Sequence, residues 1–115
     1  MPFLDTGTGK LHYDIDGPDN APVLVLSNSL GTTLAMWLPQ MPALTEHFRV
    51  LRYDTRGHGQ SDVTPGPYSI AQLGRDVVSL LDGLHIPAAH FCGLSMGGMT
   101  GIWLGINAPG RIQKL

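Results

Sequence analysis

The sequence predicts an α/β protein: a single domain holding a mostly parallel sheet flanked by helices. Three observations predict it. The run Val23, Leu24, Val25, Leu26 is continuously apolar, as in a central strand covered on both faces. Strand-like and helix-like segments then alternate along the chain, the order that builds parallel crossovers. The clearest helix, residues 69–84, sets Ile70, Leu73, Val77, Leu80, Leu81 and Leu84 on one stripe at helical spacing.

Taken in order, residues 3–5 and 10–16 read as two short strands around Gly7-Thr8-Gly9. In the second, Leu11, Tyr13 and Ile15 alternate with polar positions. Gly17-Pro18-Asp19-Asn20 is a turn. The apolar strand 22–26 runs into the loop Ser27-Asn28-Ser29-Leu30-Gly31. A helix is expected over 34–44, distorted by Pro39 and Pro42. Residues 48–53 form the next strand, and a Gly-rich loop covers 54–62. Ser69 caps the helix 69–84, and Gly83 and Pro87 mark its end. A short strand over 90–94 leads into a helix over 96–107. After the turn at Pro109-Gly110, residues 112–115 read as a further strand.

Composition narrows the function classes. Of 115 residues, 43% are hydrophobic and 14% charged, which suits a packed core. Seven Lys and Arg against nine Asp and Glu give a net charge of −2, with no footprint for nucleic acid or an anionic membrane surface. No apolar run is long enough to cross a bilayer, and the first residues lack the blocks of a secretory signal. The single cysteine, Cys92, excludes an intrachain disulfide, and a cytoplasmic location is expected. Cys92 itself reads as a small apolar residue in a buried strand.

The informative segment is Gly93-Leu94-Ser95-Met96-Gly97-Gly98, between an apolar strand and an apolar helix. A serine on a sharp strand-to-helix turn sits in strained backbone, with its hydroxyl raised above the sheet. The residues two places either side approach each other and must be small, as Gly93 and Gly97 are. The helix behind Ser95 offers N-terminal amides to developing negative charge. Ser95 is therefore the candidate nucleophile. Acyl transfer also needs donors for an oxyanion. Met96 supplies one amide. The loop 27–31 supplies the other, from Leu30 or from its neighbour Ser29.

The loop Asp54-Thr55-Arg56-Gly57-His58-Gly59-Gln60-Ser61 lacks the lysine of a phosphate-binding loop. A structural role is expected, with Asp54 and Arg56 pairing or bonding loop backbone. None of His12, His47, His58, His85 and His90 has a partner at metal-ligand spacing, so no metal is expected. His58 alone falls in a loop near the C-terminal ends of the strands, where it is a candidate substrate contact along with Ser29.

Along its whole length the chain resembles the N-terminal half of an α/β-hydrolase, and most closely the 3-oxoadipate enol-lactonases. The match is carried by Leu26-Ser27-Asn28-Ser29-Leu30-Gly31-Thr32-Thr33 with Met36-Trp37, by Arg52-Tyr53-Asp54-Thr55-Arg56-Gly57-His58-Gly59, and by Cys92-Gly93-Leu94-Ser95-Met96-Gly97-Gly98. The second and third recur across the superfamily; the first is narrower. The resemblance implies cofactor-free hydrolysis of 3-oxoadipate enol-lactone through an acyl-enzyme at Ser95, with Leu30 and Met96 holding the oxyanion. Other small-acyl carboxylesterases and perhydrolases share the motif, and a non-catalytic half-domain scaffold is the alternative of another class.

One departure stands out. The family places an acid and then a histidine after the nucleophile, and residues 96–115 contain no Asp, Glu or His. Residues 1–115 are therefore expected to be the N-terminal part of one hydrolase domain, ending in a strand. The remainder of that domain is the expected partner, besides a small lactone or ester. Alone, such a piece is expected to leave a sheet edge unpaired and to associate or aggregate.

Overall fold

The computed structural model describes residues 2–115. Five strands form one sheet in the order β1-β2-β4-β3-β5. They are β1 (Phe3–Asp5), β2 (Lys10–Asp16), β3 (Val23–Ser27), β4 (Arg49–Tyr53) and β5 (His90–Gly93). The run 23–26 is central, as its unbroken apolar character requires: β3 pairs in parallel with β4 on one side and β5 on the other. The sheet is parallel at β3, β4 and β5 but mixed overall. β1 and β2 form an antiparallel hairpin, because the short link between them leaves no room for a crossover, and β2 joins β4 antiparallel.

Helices cover both faces. On one, α2 (Ile70–Gly83) and α3 (Met96–Asn107) close over Val25, Leu51 and Phe91, contributing Val77, Leu80, Leu81 and Leu104. Ser69 caps α2 by accepting from the Gln72 amide at 3.1 Å. On the other face, Leu24, Leu26 and Val50 pack with Met41, Trp37, Leu44 and Phe48. The helix expected over 34–44 is two pieces: a 3-10 helix, Leu34–Gln40, and the short α1, Met41–Leu44. Pro39 and Pro42 each remove an amide donor, so no continuous α-helical ladder can form there.

Two expectations need correcting. Cys92 is exposed, not buried. It pairs with Leu26 and shares its face of the sheet, but the apolar cluster on that face takes no residue from β5 and does not reach over it. Residues 112–115 form no full strand. A single parallel bridge joins Ala89 and Ile112, flanked by bonds from the amides of Ala89, Phe91 and Gln113.

Candidate active site

β5 ends at Gly93 and α3 starts at Met96, leaving two residues to reverse the chain. Ser95 absorbs that reversal with φ 56° and ψ −111°. Among the described residues only it and His85 have positive φ without being glycine. The crowding explains the flanking glycines. A Cβ on Gly93 would strike the backbone of Gly97 and Gly98, and one on Gly97 would strike the backbone of Ser27. The turn is pinned from below, where Leu94 donates its amide to the Ser27 carbonyl at 3.1 Å. Ser95 itself is exposed, and its hydroxyl has no partner among the described residues.

The neighbouring loop leaves β3 and is held by Asn28, which is fully buried. Its amide group donates to the Tyr53 carbonyl at 2.8 Å and accepts from the Trp37 indole at 2.7 Å. Beneath it, the Ser27 and Tyr53 hydroxyls meet at 2.7 Å. Burial pushes the Tyr53 phenol pKa well above its ordinary value, only partly offset by that bond, so the phenol stays protonated. Leu30 stands exposed at the tip. Among the described residues, neither the Leu30 nor the Met96 amide is bonded.

Leu30 and Met96 border one cavity of about 210 Å³, shared with Thr55, His58, Tyr68, Ile70 and Leu73. His58 donates from Nδ1 to the Arg56 carbonyl at 3.1 Å, since a carbonyl can only accept. Ser29 is not brought to this cavity. Its hydroxyl lies 3.4 Å from that of Thr32 and is turned into its own loop.

Asp54 and Arg56 do not pair with each other. Asp54 is buried, meets His12 Nδ1 at 2.8 Å, and accepts from the amides of Leu34 at 2.8 Å and Gln60 at 3.0 Å. Arg56 forks onto Asp76 at 2.9 and 2.6 Å and reaches Thr6, Thr8 and Thr64. The Asp76 carboxylate raises the Arg56 pKa further, so the guanidinium stays charged. Sequence reasoning missed Asp76 and His12. The signal for Asp76 was its spacing: it lies three residues after Leu73 and four before Leu80, a charge on the buried stripe that demands a partner. His12 follows Leu11 in β2 and carried no comparable signal.

A strained serine between strand and helix, followed by the unbonded amide of Met96, defines an elbow-type α/β protein. The chain belongs to the alpha/beta hydrolase fold family, whose model matches residues 22–115. It is 53% identical over 105 residues to 3-oxoadipate enol-lactonase 1 of Acinetobacter baylyi, covering 91% of this chain and 39% of that protein. The crystal structure of the enol-lactonase from Burkholderia xenovorans LB400 superposes with a TM-score of 0.95 at 57% identity, covering 97% of this chain and 44% of that one. A carboxylesterase from Bacillus subtilis follows at 0.89 and 30%, covering 97% and 40%. The chain thus spans about two-fifths of the length of the curated relatives it matches. Among the described residues, no helix is long and apolar enough to cross a membrane.

Proposed function

We propose that this chain carries the nucleophile and oxyanion hole of a cytoplasmic serine hydrolase that opens 3-oxoadipate enol-lactone. Ser95 Oγ attacks the lactone carbonyl, and the amides of Leu30 and Met96 hold the oxyanion. The ring C–O bond then breaks, the enol oxygen leaves with a proton, and an acyl-enzyme remains for water to hydrolyse. The observation that carries this reading is the positive φ of Ser95 directly before Met96, which borders a cavity with Leu30, both residues having unbonded amides. Leu30 is favoured over Ser29 as second donor because Leu30 lines that cavity and Ser29 does not. His58, on the same cavity, contacts the far end of the substrate. The base that activates Ser95, and the acid that orients it, come from the part of the domain that the matched relatives have beyond this stretch.

The test completes the chain by fusing residues 1–115 to the remaining three-fifths of the Acinetobacter enol-lactonase. The completed chain is expected to hydrolyse the enol-lactone and to take a fluorophosphonate label at Ser95. Ser95→Ala should lose both, by several orders of magnitude in rate. A well-folded completed chain with neither activity nor label overturns the reading.

A second reading, a small-acyl carboxylesterase, draws on the apolar walls of Leu30, Ile70, Leu73 and Met96 and on the likeness to the Bacillus esterase. It requires a higher kcat/KM on p-nitrophenyl butyrate than on the lactone.

A further inference from the structure

Five polar side chains line the cavity that Leu30 and Met96 border: Thr55, Arg56, His58, Tyr68 and Ser69. The Thr55 hydroxyl is sealed off by burial and cannot meet a ligand. The donors of Arg56 are spent on Asp76 and three threonines. The Tyr68 hydroxyl donates to the Thr64 carbonyl at 2.7 Å and accepts from the Thr64 amide at 3.0 Å. Ser69 is exposed to solvent, and its oxygen caps α2 by accepting from Gln72. His58 differs from all four. It is half-buried, and only its Nδ1 is bonded, to the Arg56 carbonyl. Nε2 has no partner among the described residues and is not buried. With a proton fixed on Nδ1, Nε2 presents a lone pair in the neutral ring and a second N–H in the charged one.

A lactone formed from a dicarboxylic oxo-acid keeps one carboxylate outside the ring. We propose that His58 determines specificity for that arm, taking up a proton at Nε2 as the lactone binds and donating the new N–H to the free carboxylate. This rests on the lactonase reading of Ser95. The uptake is required because a lone pair on Nε2 repels a carboxylate. The charged pair then forms against the apolar walls of Leu30, Ile70, Leu73 and Met96, where it is strengthened. The surrounding charges are already engaged. Arg56 is matched by Asp76, Asp54 is held by His12 and two amides, and Asp62 accepts from the Lys10 amide. Neither the loop 27–31 nor α3 carries a titratable side chain.

In the completed chain, the acidic enol-lactone is compared with the neutral lactone of the same ring, which carries methyl in place of the carboxymethyl arm. Both meet the same serine and base, so the titration of that base cancels in the ratio of kcat/KM, acidic over neutral. The ratio is expected to fall as pH rises from about 6 to about 8. His58→Asn keeps a side-chain donor for the Arg56 carbonyl but has no Nε2. It should lower the ratio at least about tenfold at the acidic end and flatten its pH dependence. Ser69→Ala should leave the ratio near the parent value. A crystal structure of the completed chain with adipate provides a readout that needs no variant: a carboxylate oxygen within hydrogen-bond distance of His58 Nε2 is expected.

An unchanged ratio in His58→Asn, a ratio flat with pH in the unsubstituted chain, a ratio lowered instead by Ser69→Ala, or adipate bonded away from Nε2 overturns the proposal while leaving Ser95 as nucleophile. If the unsubstituted completed chain opens neither lactone, the lactonase reading itself fails, and the role of His58 falls with it.

Discussion

The loop that leaves β4 and the turn that leaves β5 lie at the same end of parallel strands and are built on opposite terms. In the first, Asp54, Arg56 and Ser61 are buried and heavily bonded. Ser61 alone donates to the Asp54 carbonyl at 2.6 Å and accepts from the His12 amide at 2.9 Å. In the second, Ser95 is exposed, strained in φ and unbonded through its side chain. The difference teaches a division of labour. One loop supplies rigidity, so that the other can hold Ser95 in a conformation it would not choose. The two meet at Ser27, whose hydroxyl bonds Tyr53 in β4 and whose carbonyl anchors the turn through Leu94.

Substitutions at three places in the completed chain break or sharpen this contrast. The largest effect is expected from Asp76→Ala, which strands the Arg56 charge in the interior. A loss of about 3–5 kcal/mol should appear as a lower urea midpoint. Arg56→Met combined with Asp76→Leu should recover much of it, since no lone buried ion remains. A loss below about 1 kcal/mol would show that the β4 loop is not the rigid partner.

Ser95→Gly should act in the opposite sense. Removing Cβ relieves strain worth about 1–3 kcal/mol, against a smaller entropic cost for glycine, so stability should rise by about 1–2 kcal/mol while turnover is lost. Ser95→Ala should lose turnover with no such gain. Equal stability of the two variants would remove the case for strain.

The smallest effect is expected from Tyr53→Phe, about 0.5–1 kcal/mol from the lost hydroxyl pair. It also predicts a pH dependence. The folded state holds the Tyr53 proton well above the ordinary phenol range, whereas the unfolded chain releases it from about pH 10. Stability should therefore fall as pH rises beyond that point, and the fall should be shallower in Tyr53→Phe. Parallel profiles for the two proteins would show that the phenol is not held protonated.

What the sequence revealed follows from how local each signal is. The apolar run 23–26 and the stripe on α2 state their own burial, and both elements stand within a residue or two of expectation. Gly93 and Gly97 announce the turn at Ser95 because the steric demand falls within five residues. The pairing of His12 with Asp54 joins positions 42 apart in sequence, and no spacing rule reaches that far. Cys92 misled because an apolar neighbourhood in sequence says nothing of how far the helical cover on its own sheet face extends.

The Asp54 carboxylate ties three separate stretches into one knot: the N-terminal hairpin at His12, the segment after the β3 loop at Leu34, and its own loop at Gln60. The hairpin thereby becomes a lever. Changes on β2, with no atom near a substrate, can tug the carboxylate and re-aim the neighbouring loop. Anyone tuning selectivity by random mutagenesis should find gains there, in a strand that a search confined to the pocket walls would pass over.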